Sequence, residues 1–453
     1  MNLWADYDNQ QALTGTVGHK QARRPTEKII LSSLRQWLLQ DYASVYCRSL
    51  AAMRIYRRCF WIDAWGAIDT RPNSLEMSQS QEVGTGKGRQ KNTAQTMPPV
   101  PPVLQPVVSL SQALAQGSKP IALNGIVLEA GSSRRKEGRA SQNGNDSVEV
   151  EASTVLLKDG QIKDGQKDSL KDGLTLPKES GIVRASWLEI APRLLNFLEQ
   201  SPAIFLLNPF GHTLFSYENL APLYQRKTAP TELALLIPHQ QAGLHVIRAA
   251  RSPAGAATLT ALLRTDRWKA LLPKGEETAP DLAGVIELLR SSMQQHFLWV
   301  QPIALPLLAG AAVVETAPYT LLFATRSKDS LVSMNDAVCL YHRHLTEQSL
   351  RGVLGEEWFA TQQQERFVEE LQLLRQRTLH LGKTQRVRRW PDLRQQLLVE
   401  HFGRFTLHDY DEVIGELLIK GYVRCEWGRG RRHAEDEERR VPGNEDTLLF
   451  AVS

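Results

Sequence analysis

The chain has 453 residues, of which 42% are hydrophobic and ten are Trp, so it can fill two or three compact cores and is not a disordered chain. Lys and Arg exceed Asp and Glu by 54 to 49, a mild excess that permits a polyanionic partner without requiring one. None of the four Cys is spaced from another as metal ligands are, so neither a zinc site nor a disulfide framework is indicated. No apolar run reaches the about 18 residues of a membrane helix, and the polar N-terminus is unlike a signal peptide. We therefore expect a soluble, cytoplasmic protein with no membrane partner.

The N-terminal part alternates between ordered and low-complexity segments. After a flexible polar leader over residues 1–24, apolar residues recur at helical spacing from Ile30 to Leu38 and predict a helix. The run "CFWI" predicts a first strand, and "KPIALNGIVLEAG" predicts a strand that ends at Glu129. Composition rich in Ser, Gln, Gly, Lys and Pro predicts largely disordered insertions over about 70–118 and 131–180.

From residue 181 onward, predicted strands and helices alternate. "GIVRAS", "AIFLLNPFG" and "ELALLIPHQ" predict strands, and "WLEIAPRLLNFLEQ" and "YENLAPLYQR" predict the helices between them. This succession predicts an α/β domain over residues 25–345 with a doubly wound, mostly parallel, Rossmann-like sheet. Ligands bind beyond the carboxyl ends of strands in such sheets, so Asn208, Pro209 and Phe210, where "AIFLL" stops, form a candidate site. The alternative is a tight turn without a ligand.

The C-terminal part has a different pattern. A long amphipathic helix within residues 346–380 predicts a helical spacer. Residues 381–453 then contain "WPDLRQQLLVEHFG", "FTLHDYDEVIGELLIKG" and two strands, "YVRCEW" and "DTLLFAV". Helix, helix-turn-helix and two-stranded wing is the order of elements in a winged-helix domain.

Four segments together resemble the three-Cys-motif partner proteins (TcmP), bacterial proteins similar to class I methyltransferases. The family shows a strand ending in D-x-F-A-G-x-G, a strand ending in D-P-F-G, a segment ending in Trp, and a late segment of the form "yyLiFaT…G…M". The corresponding pieces here are "WIDAWGAID", "FLLNPFG", "LLRTDRW" and "YTLLFATRSKDSLVSM". Their order and spacing carry the resemblance, which covers roughly residues 25–340.

The resemblance implies a site for S-adenosylmethionine, and we expect no metal because the cysteines lack metal-ligand spacing. Asp63, Trp65 and Gly66, in the turn after the first strand, would lie against the methionine end of the cofactor, where small residues allow close approach of the backbone. Glu129, at the end of the second strand, would accept hydrogen bonds from the ribose hydroxyls. Trp65 stands where the family has Phe, and Asp69 falls on or near a motif glycine.

The turn after "AIFLL" resembles the acceptor site of methyltransferases that act on base amines. In those enzymes an Asn or Asp side chain and a Pro carbonyl accept hydrogen bonds from the amine, while an aromatic ring stacks on the flipped base. Asn208, Pro209 and Phe210 match this arrangement without its second proline. The catalytic roles would fall to these three residues.

Three further residues have two interpretations each. Trp187 either stacks on a flat ring of a ligand or is the first core residue of the following helix. His212 and His239 both follow predicted strands, where either could touch a substrate or be an ordinary turn histidine.

The C-terminal domain has charges of both signs. The second helix of its helix-turn-helix pair carries Asp409, Asp411, Glu412 and Glu416 against Lys420, which disfavours contact with phosphates. The wing carries Arg429, Arg431 and Arg432, which could bind a nucleic acid backbone. Nucleic acid and protein both remain open as partners.

Two functions follow from these patterns. The first is an S-adenosylmethionine-dependent methyltransferase acting on an amine, with a nucleic acid base as one candidate acceptor. The second is a catalytically degenerate methyltransferase-like scaffold that binds nucleic acid or a protein through the winged helix. The family name implies one such protein, a three-Cys-motif partner.

Overall fold

The computed structural model describes residues 27–65, 100–129, 177–273, 279–309, 312–313, 317–350, 355–428 and 441–450. Their contacts group the chain into two compact units. The sheet unit consists of Lys28–Pro302 and Leu321–Arg326. The C-terminal unit includes Ile303–Thr320 and the residues from Ser327 onward.

Seven strands form one sheet in the order β3-β2-β1-β4-β5-β7-β6. Strand β1 pairs in parallel with β2 and β4, β2 with β3, and β4 with β5. The predicted α/β class and mostly parallel sheet are therefore confirmed. The strands are β1 Arg58–Ala64, β2 Ala122–Leu128, β3 Gly181–Val183, β4 Ala203–Leu207, β5 Thr231–Pro238, β6 Trp299–Leu305 and β7 Tyr319–Thr325.

Eight described α-helices precede the end of β7. The first, α1, is Glu27–Trp37; it continues through a π-helical segment, Leu38–Ala43, into α2, Ser44–Ala52. The others are α3 Gln105–Ala115, α4 Trp187–Leu198, α5 Tyr217–Gln225, α6 His239–Arg251, α7 Pro253–Leu263 and α8 Leu282–Met293. Short 3-10 helices occur at Pro102–Leu104 and Arg267–Leu271.

Both faces of the central strands are buried, which is why their sequences are continuous apolar runs and not alternating ones. Phe60 and Ile62 of β1 belong to a core cluster that also contains side chains of α4, α5, α6, α7 and α8. Trp61, which points to the other face, is equally buried. Helix α4 begins at a capping box in which Glu189 accepts a hydrogen bond from the Ser186 backbone N–H at 2.7 Å.

Helix α3 lies inside the segment predicted as a disordered insertion over 70–118, so that prediction is wrong for residues 105–115. Val107 and Val108 of α3 are buried, and α3 packs on β2. Gly125 of β2 permits this contact, because a Cβ there would lie 2.9 Å from Val107 Cγ1. The Pro-rich start hid the helix, since Pro is tolerated in a first helical turn.

The C-terminal unit contains helices followed by a small antiparallel sheet. The helices are α9 Lys328–Leu350, α10 Glu356–Thr384, α11 Trp390–Glu400 and α12 Leu407–Ile419, and the strands are β8 Val423–Glu426 and β9 Thr447–Phe450. A separate two-residue hairpin pairs Leu308–Ala309 with Ala312–Val313. The Leu448 backbone N–H donates to the Arg388 carbonyl at 2.7 Å, so the connection from α10 to α11 runs beside β9.

Candidate functional site

The sheet brings three of the predicted site residues to one edge. In the register of the central strands, Asp63 of β1 lies opposite Val127 of β2 and Leu206 of β4. Two residues further along each chain segment stand Trp65, Glu129 and Asn208. Because paired strands lie about 4.8 Å apart, these three residues leave neighbouring strand ends at the same level. Trp65, Glu129 and Asn208 therefore share the carboxyl edge of β1, β2 and β4.

Asp63 is held by the protein itself. Its side chain is 2% exposed and forms a two-pronged ion pair with Arg35 of α1, in which Arg35 Nε donates to one carboxylate oxygen and Nη2 donates to the other at 3.1 Å. The Trp65 backbone N–H also donates to Asp63 Oδ1, at 3.2 Å. Asp63 therefore ties helix α1 to the end of β1, and its charge is compensated without a ligand.

Trp65 and Arg35 also contact each other directly. The guanidinium carbon of Arg35 lies 5.5 Å from the centre of the Trp65 ring, and both residues are 5% exposed. Arg35 Nη1 and Trp65 Nε1 are buried and have no hydrogen-bond partner among the residues that the structure describes. An unpartnered buried donor costs about 1–3 kcal/mol of stability. Two such donors therefore lie in contacting side chains at the end of β1.

Glu129 immediately follows β2 and is partly exposed. Its backbone N–H donates to the Val183 carbonyl at 2.9 Å, which fixes the position of the residue against β3. Gly66, the other predicted cofactor residue, lies outside the described residues. Glu129, which the sequence predicts to accept hydrogen bonds from the ribose, thus lies at the carboxyl edge of β1, β2 and β4.

The turn after β4 is closed by its own hydrogen bonds. Asn208 Oδ1 accepts from the Phe210 backbone N–H at 3.0 Å, and Asn208 Nδ2 donates to Gln241 Oε1 at 3.3 Å. The Pro209 carbonyl accepts from the Phe215 N–H at 3.0 Å. The two oxygens expected to accept from a substrate amine therefore each have a partner inside the turn, although an amide oxygen can accept a second hydrogen bond.

Phe210 departs from the prediction. The sequence predicted a ring exposed at the edge of the sheet, but Phe210 is 0% exposed and belongs to the core cluster of the sheet unit. His245 also contacts this turn. Its Nε2 donates a hydrogen bond to the Gly211 carbonyl at 2.8 Å, and its ring centre lies 6.4 Å from that of Phe210. As placed, the Phe210 ring anchors the turn and offers no free face to a base.

Sequence reasoning missed three residues that shape this edge. Gln241 and His245 are four residues apart on α6, so they lie on one face of that helix and both contact the turn. This spacing in the sequence was a usable signal. Arg35 carried no such signal, because its partner Asp63 is 28 residues away.

The structure shows the surroundings of Trp187, His212 and His239, each of which had two interpretations in the sequence. Trp187 is 3% exposed, its Nε1 donates to the Asn219 carbonyl at 2.9 Å, and its ring packs edge-on against Phe205. Trp187 is therefore the first core residue of α4. His212 is exposed, while His239 is partly buried, and this burial lowers its pKa.

The acidic residues of α12 are largely used within the C-terminal unit. Asp409 pairs with Arg343 at 2.6 Å, Asp411 with Arg394 at 2.6 Å, and Glu416 with Arg375 at 2.8 Å. Three of the four carboxylates of α12 are therefore paired with arginine, so this helix should repel phosphates less than its sequence suggests. The predicted wing residues Arg429, Arg431 and Arg432 lie outside the described residues.

A group of basic residues lies in the last turn of α10 and in the connection from α10 to α11. Lys383, Arg386, Arg388 and Arg389 are all exposed, and none forms an ion pair in the part of the chain that is described. We call this group the basic connector.

Within the described ranges, no helix has the length and apolar character needed to span a membrane, and no cluster of three or more His, Cys, Asp or Glu could bind a metal. All four cysteines are free thiols. Comparison with protein-family models, with curated proteins and with solved structures finds no match.

Proposed function

We propose that this chain is a class I methyltransferase-like protein, similar to the TcmP family, that binds S-adenosylmethionine at the carboxyl edge of β1, β2 and β4. The strand order β3-β2-β1-β4-β5 is the doubly wound order, whose direction reverses between β1 and β4. Ligands of such sheets bind at this reversal. The observation that carries the proposal is the common level of Trp65, Glu129 and Asn208 beyond the three adjacent strand ends.

The residues at this edge suit an adenosyl ligand. Glu129 would accept hydrogen bonds from the ribose hydroxyls, and the unpartnered nitrogens of Arg35 and Trp65 would meet an acceptor group. S-adenosylmethionine would supply an electrophilic methyl group for transfer to an amine. Asn208 Oδ1 would orient that amine with its second lone pair while the first holds the Phe210 N–H.

Calorimetric titration with S-adenosylmethionine and with its demethylated product tests this proposal. We expect saturable binding that is weakened at least tenfold in Glu129→Ala, because a ribose hydrogen bond to a charged group is lost. Glu287→Ala is the matched control, since Glu287 is an exposed acid on α8 that pairs with Arg290. Absence of binding at millimolar ligand by a folded protein would refute the proposal.

A second candidate function is favoured by the closed turn after β4. Phe210 is fully buried, and the Asn208 and Pro209 oxygens have partners within the turn. A scaffold that has lost methyl transfer would retain such a turn for packing alone. It would act by binding, through a winged-helix arrangement of α11, α12, β8 and β9.

The basic connector favours nucleic acid over protein as the partner of this scaffold. Six other basic residues of the C-terminal unit are neutralised by carboxylates, in the pairs Arg343–Asp409, Arg375–Glu416, Arg377–Glu400, Arg394–Asp411, Arg404–Glu370 and Lys420–Glu416. The connector, in contrast, presents four exposed cations beside β9. Four neighbouring cations that form no ion pair with the described residues suit a phosphate backbone.

Fluorescence anisotropy with a labelled DNA duplex at several salt concentrations tests the second candidate. Replacing all four connector residues by Gln should weaken binding and reduce the slope of log K against log salt by about 0.9 for each phosphate that the protein no longer neutralises. Arg377→Gln is the control, because Arg377 is already paired with Glu400. Equal affinity and equal slope in the connector variant would exclude this surface and leave the protein partner implied by the TcmP resemblance.

A further inference from the structure

A cluster of aromatic and basic side chains lies in the sheet unit outside the proposed cofactor site. The imidazole of His296 stacks on the Tyr224 ring, with ring centres 4.5 Å apart and an interplanar angle of 7°. The Tyr217 hydroxyl and His296 Nε2 form a hydrogen bond of 3.1 Å. The guanidinium carbon of Arg264 lies 4.4 Å from the centre of the Tyr217 ring. These contacts hold an imidazole and a guanidinium beside the same phenol ring.

Arg326, which follows β7, fixes the place of this cluster in the fold. Its Nε donates to the His296 carbonyl at 2.9 Å, and its Nη2 donates to the Tyr224 carbonyl at 2.9 Å. Its Nη1 donates at 3.3 Å to the carbonyl of Arg226, which lies shortly before β5 begins at Thr231. Strand β5 is parallel to β4, so its start lies at the amino edge of the sheet. The cluster is therefore separate from the carboxyl edge of β1, β2 and β4.

Three groups of the cluster can still bind a ligand. The Arg264 guanidinium, the Lys227 ammonium and His296 Nδ1 form no hydrogen bond or ion pair with any residue in the described ranges. Arg264 and Lys227 are both exposed. When the Tyr217 hydroxyl donates to Nε2 of His296, the ring proton is on Nδ1, which can then donate to a ligand.

The electrostatic surroundings of His296 favour an anion. Partial burial lowers the pKa of His296. Three cations lower it further, and they are Arg264, Arg326 and Lys227. A place that combines hydrogen-bond donors with positive charge attracts a negatively charged group.

We propose that Arg264, Lys227 and His296 bind a phosphate group, either free or in a nucleic acid strand. A guanidinium presents paired N–H donors that match phosphate oxygens, and an ammonium adds a point charge. Aromatic rings beside cations are also typical of surfaces that bind nucleic acid strands. The three residues follow α5, α7 and α8, and cations near the carboxyl ends of helices also stabilise the helix dipole. The variants below separate that structural role from phosphate binding.

Nuclear magnetic resonance of ¹⁵N-labelled histidine rings in the full chain detects binding at this cluster directly. The chain has 11 His, and the ring signal lost in His296→Gln identifies His296. We expect inorganic phosphate to shift this signal saturably, while chloride at equal ionic strength does not. Arg264→Gly should weaken phosphate binding about tenfold, because a charge-assisted contact is lost. Arg264 has a φ of 59°, a left-handed conformation that Gly adopts readily, so this variant should remain folded.

Arg193→Gln is the matched control, because Arg193 is an exposed cation on α4, a helix that contributes no side chain to the cluster. It should leave the affinity for phosphate unchanged. A single-stranded oligothymidylate identifies the source of the phosphate. Tighter binding than that of inorganic phosphate assigns the site to a nucleic acid strand, and equal or weaker binding assigns it to free phosphate.

Three results would overturn the proposal. The His296 signal could respond to neither phosphate nor the oligonucleotide, it could respond equally in the wild type and in Arg264→Gly, or Arg193→Gln could lose as much affinity as Arg264→Gly. The first two would leave these cations the role of stabilising helix ends, and the third would show an effect of net charge alone. No S-adenosyl ligand enters this experiment, so its outcome does not depend on the proposed function.

Discussion

Replacing Arg35 by Met should expose how strongly helix α1 is tied to β1. The Asp63 side chain is 2% exposed, and its ion-pair partner is Arg35. Removing one member of a buried pair leaves an uncompensated charge and typically costs about 3–5 kcal/mol. Trp65 would also lose the guanidinium above its ring, which adds up to about 1 kcal/mol. We therefore expect the opening of β1 to become easier by about 3–6 kcal/mol.

Native-state hydrogen exchange of the β1 amides is the assay, since it reports the local free energy of opening even though the chain has two compact units. The double variant Arg35→Met, Asp63→Asn is the control, because Asn keeps an acceptor for the Trp65 N–H and carries no charge. It should recover most of the loss. Two results would contradict the claim that Arg35 and Asp63 form a buried ion pair. One is a decrease of less than about 1 kcal/mol in the free energy of opening of β1 in the single variant. The other is a double variant whose free energy of opening is no higher than that of the single variant.

Three further perturbations have defined outcomes. Gly382→Ala should destabilise the C-terminal unit by about 1–3 kcal/mol in urea unfolding, because a Cβ there would overlap the Phe450 ring. Asn208→Ala should cost about 1–3 kcal/mol, since it leaves the Phe210 N–H without its acceptor, and should be measured by hydrogen exchange in the turn. The pKa of His296 is lowered by partial burial, with smaller contributions from nearby cations including Arg264. Its contribution to stability is present above about pH 6.5 and is lost as the pH falls through the lowered pKa, so His296→Gln should flatten the stability profile between pH 7 and pH 5.

Two of these changes have a counterpart variant that should behave differently. Gly415→Ala on α12 should be neutral or stabilising by up to about 1 kcal/mol, because nothing lies within 4 Å of the added Cβ. Asn208→Asp should retain the acceptor for Phe210 and lose the donor to Gln241, giving a smaller loss than Asn208→Ala. If Gly382→Ala is as harmless as Gly415→Ala, or if the His296→Gln profile matches the wild type, the corresponding contacts are not as the structure has them.

The strands of the sheet could be predicted because buried parallel strands are continuous apolar runs. "CFWI" and "AIFLL" each lie within a strand of the observed sheet, at β1 and β4. The position of Glu129 one residue beyond β2 also follows from the end of such a run. Convergence on one edge then follows from parallel pairing of neighbouring strands.

The contacts made by the site residues could not be predicted in the same way. Periodicity does not show that Phe210 turns inward to the core or that Arg35, 28 residues before Asp63, reaches its carboxylate. The acidic sequence of α12 likewise led to an overestimate of its repulsion of phosphates. A carboxylate that is paired within the protein contributes little negative charge to the outer surface. Asp411, which accepts from both Trp390 and Arg394, is an example.

Binding of an adenosyl ligand at the carboxyl edge of β1, β2 and β4 can be mapped by ultraviolet crosslinking of S-adenosylmethionine to the full chain, followed by peptide analysis. We expect labelled peptides that contain Trp65, Glu129 or Asn208, and labelling that excess S-adenosylhomocysteine suppresses. Labelling confined to other peptides, or none at millimolar ligand on the folded protein, would show that this edge is not the binding site.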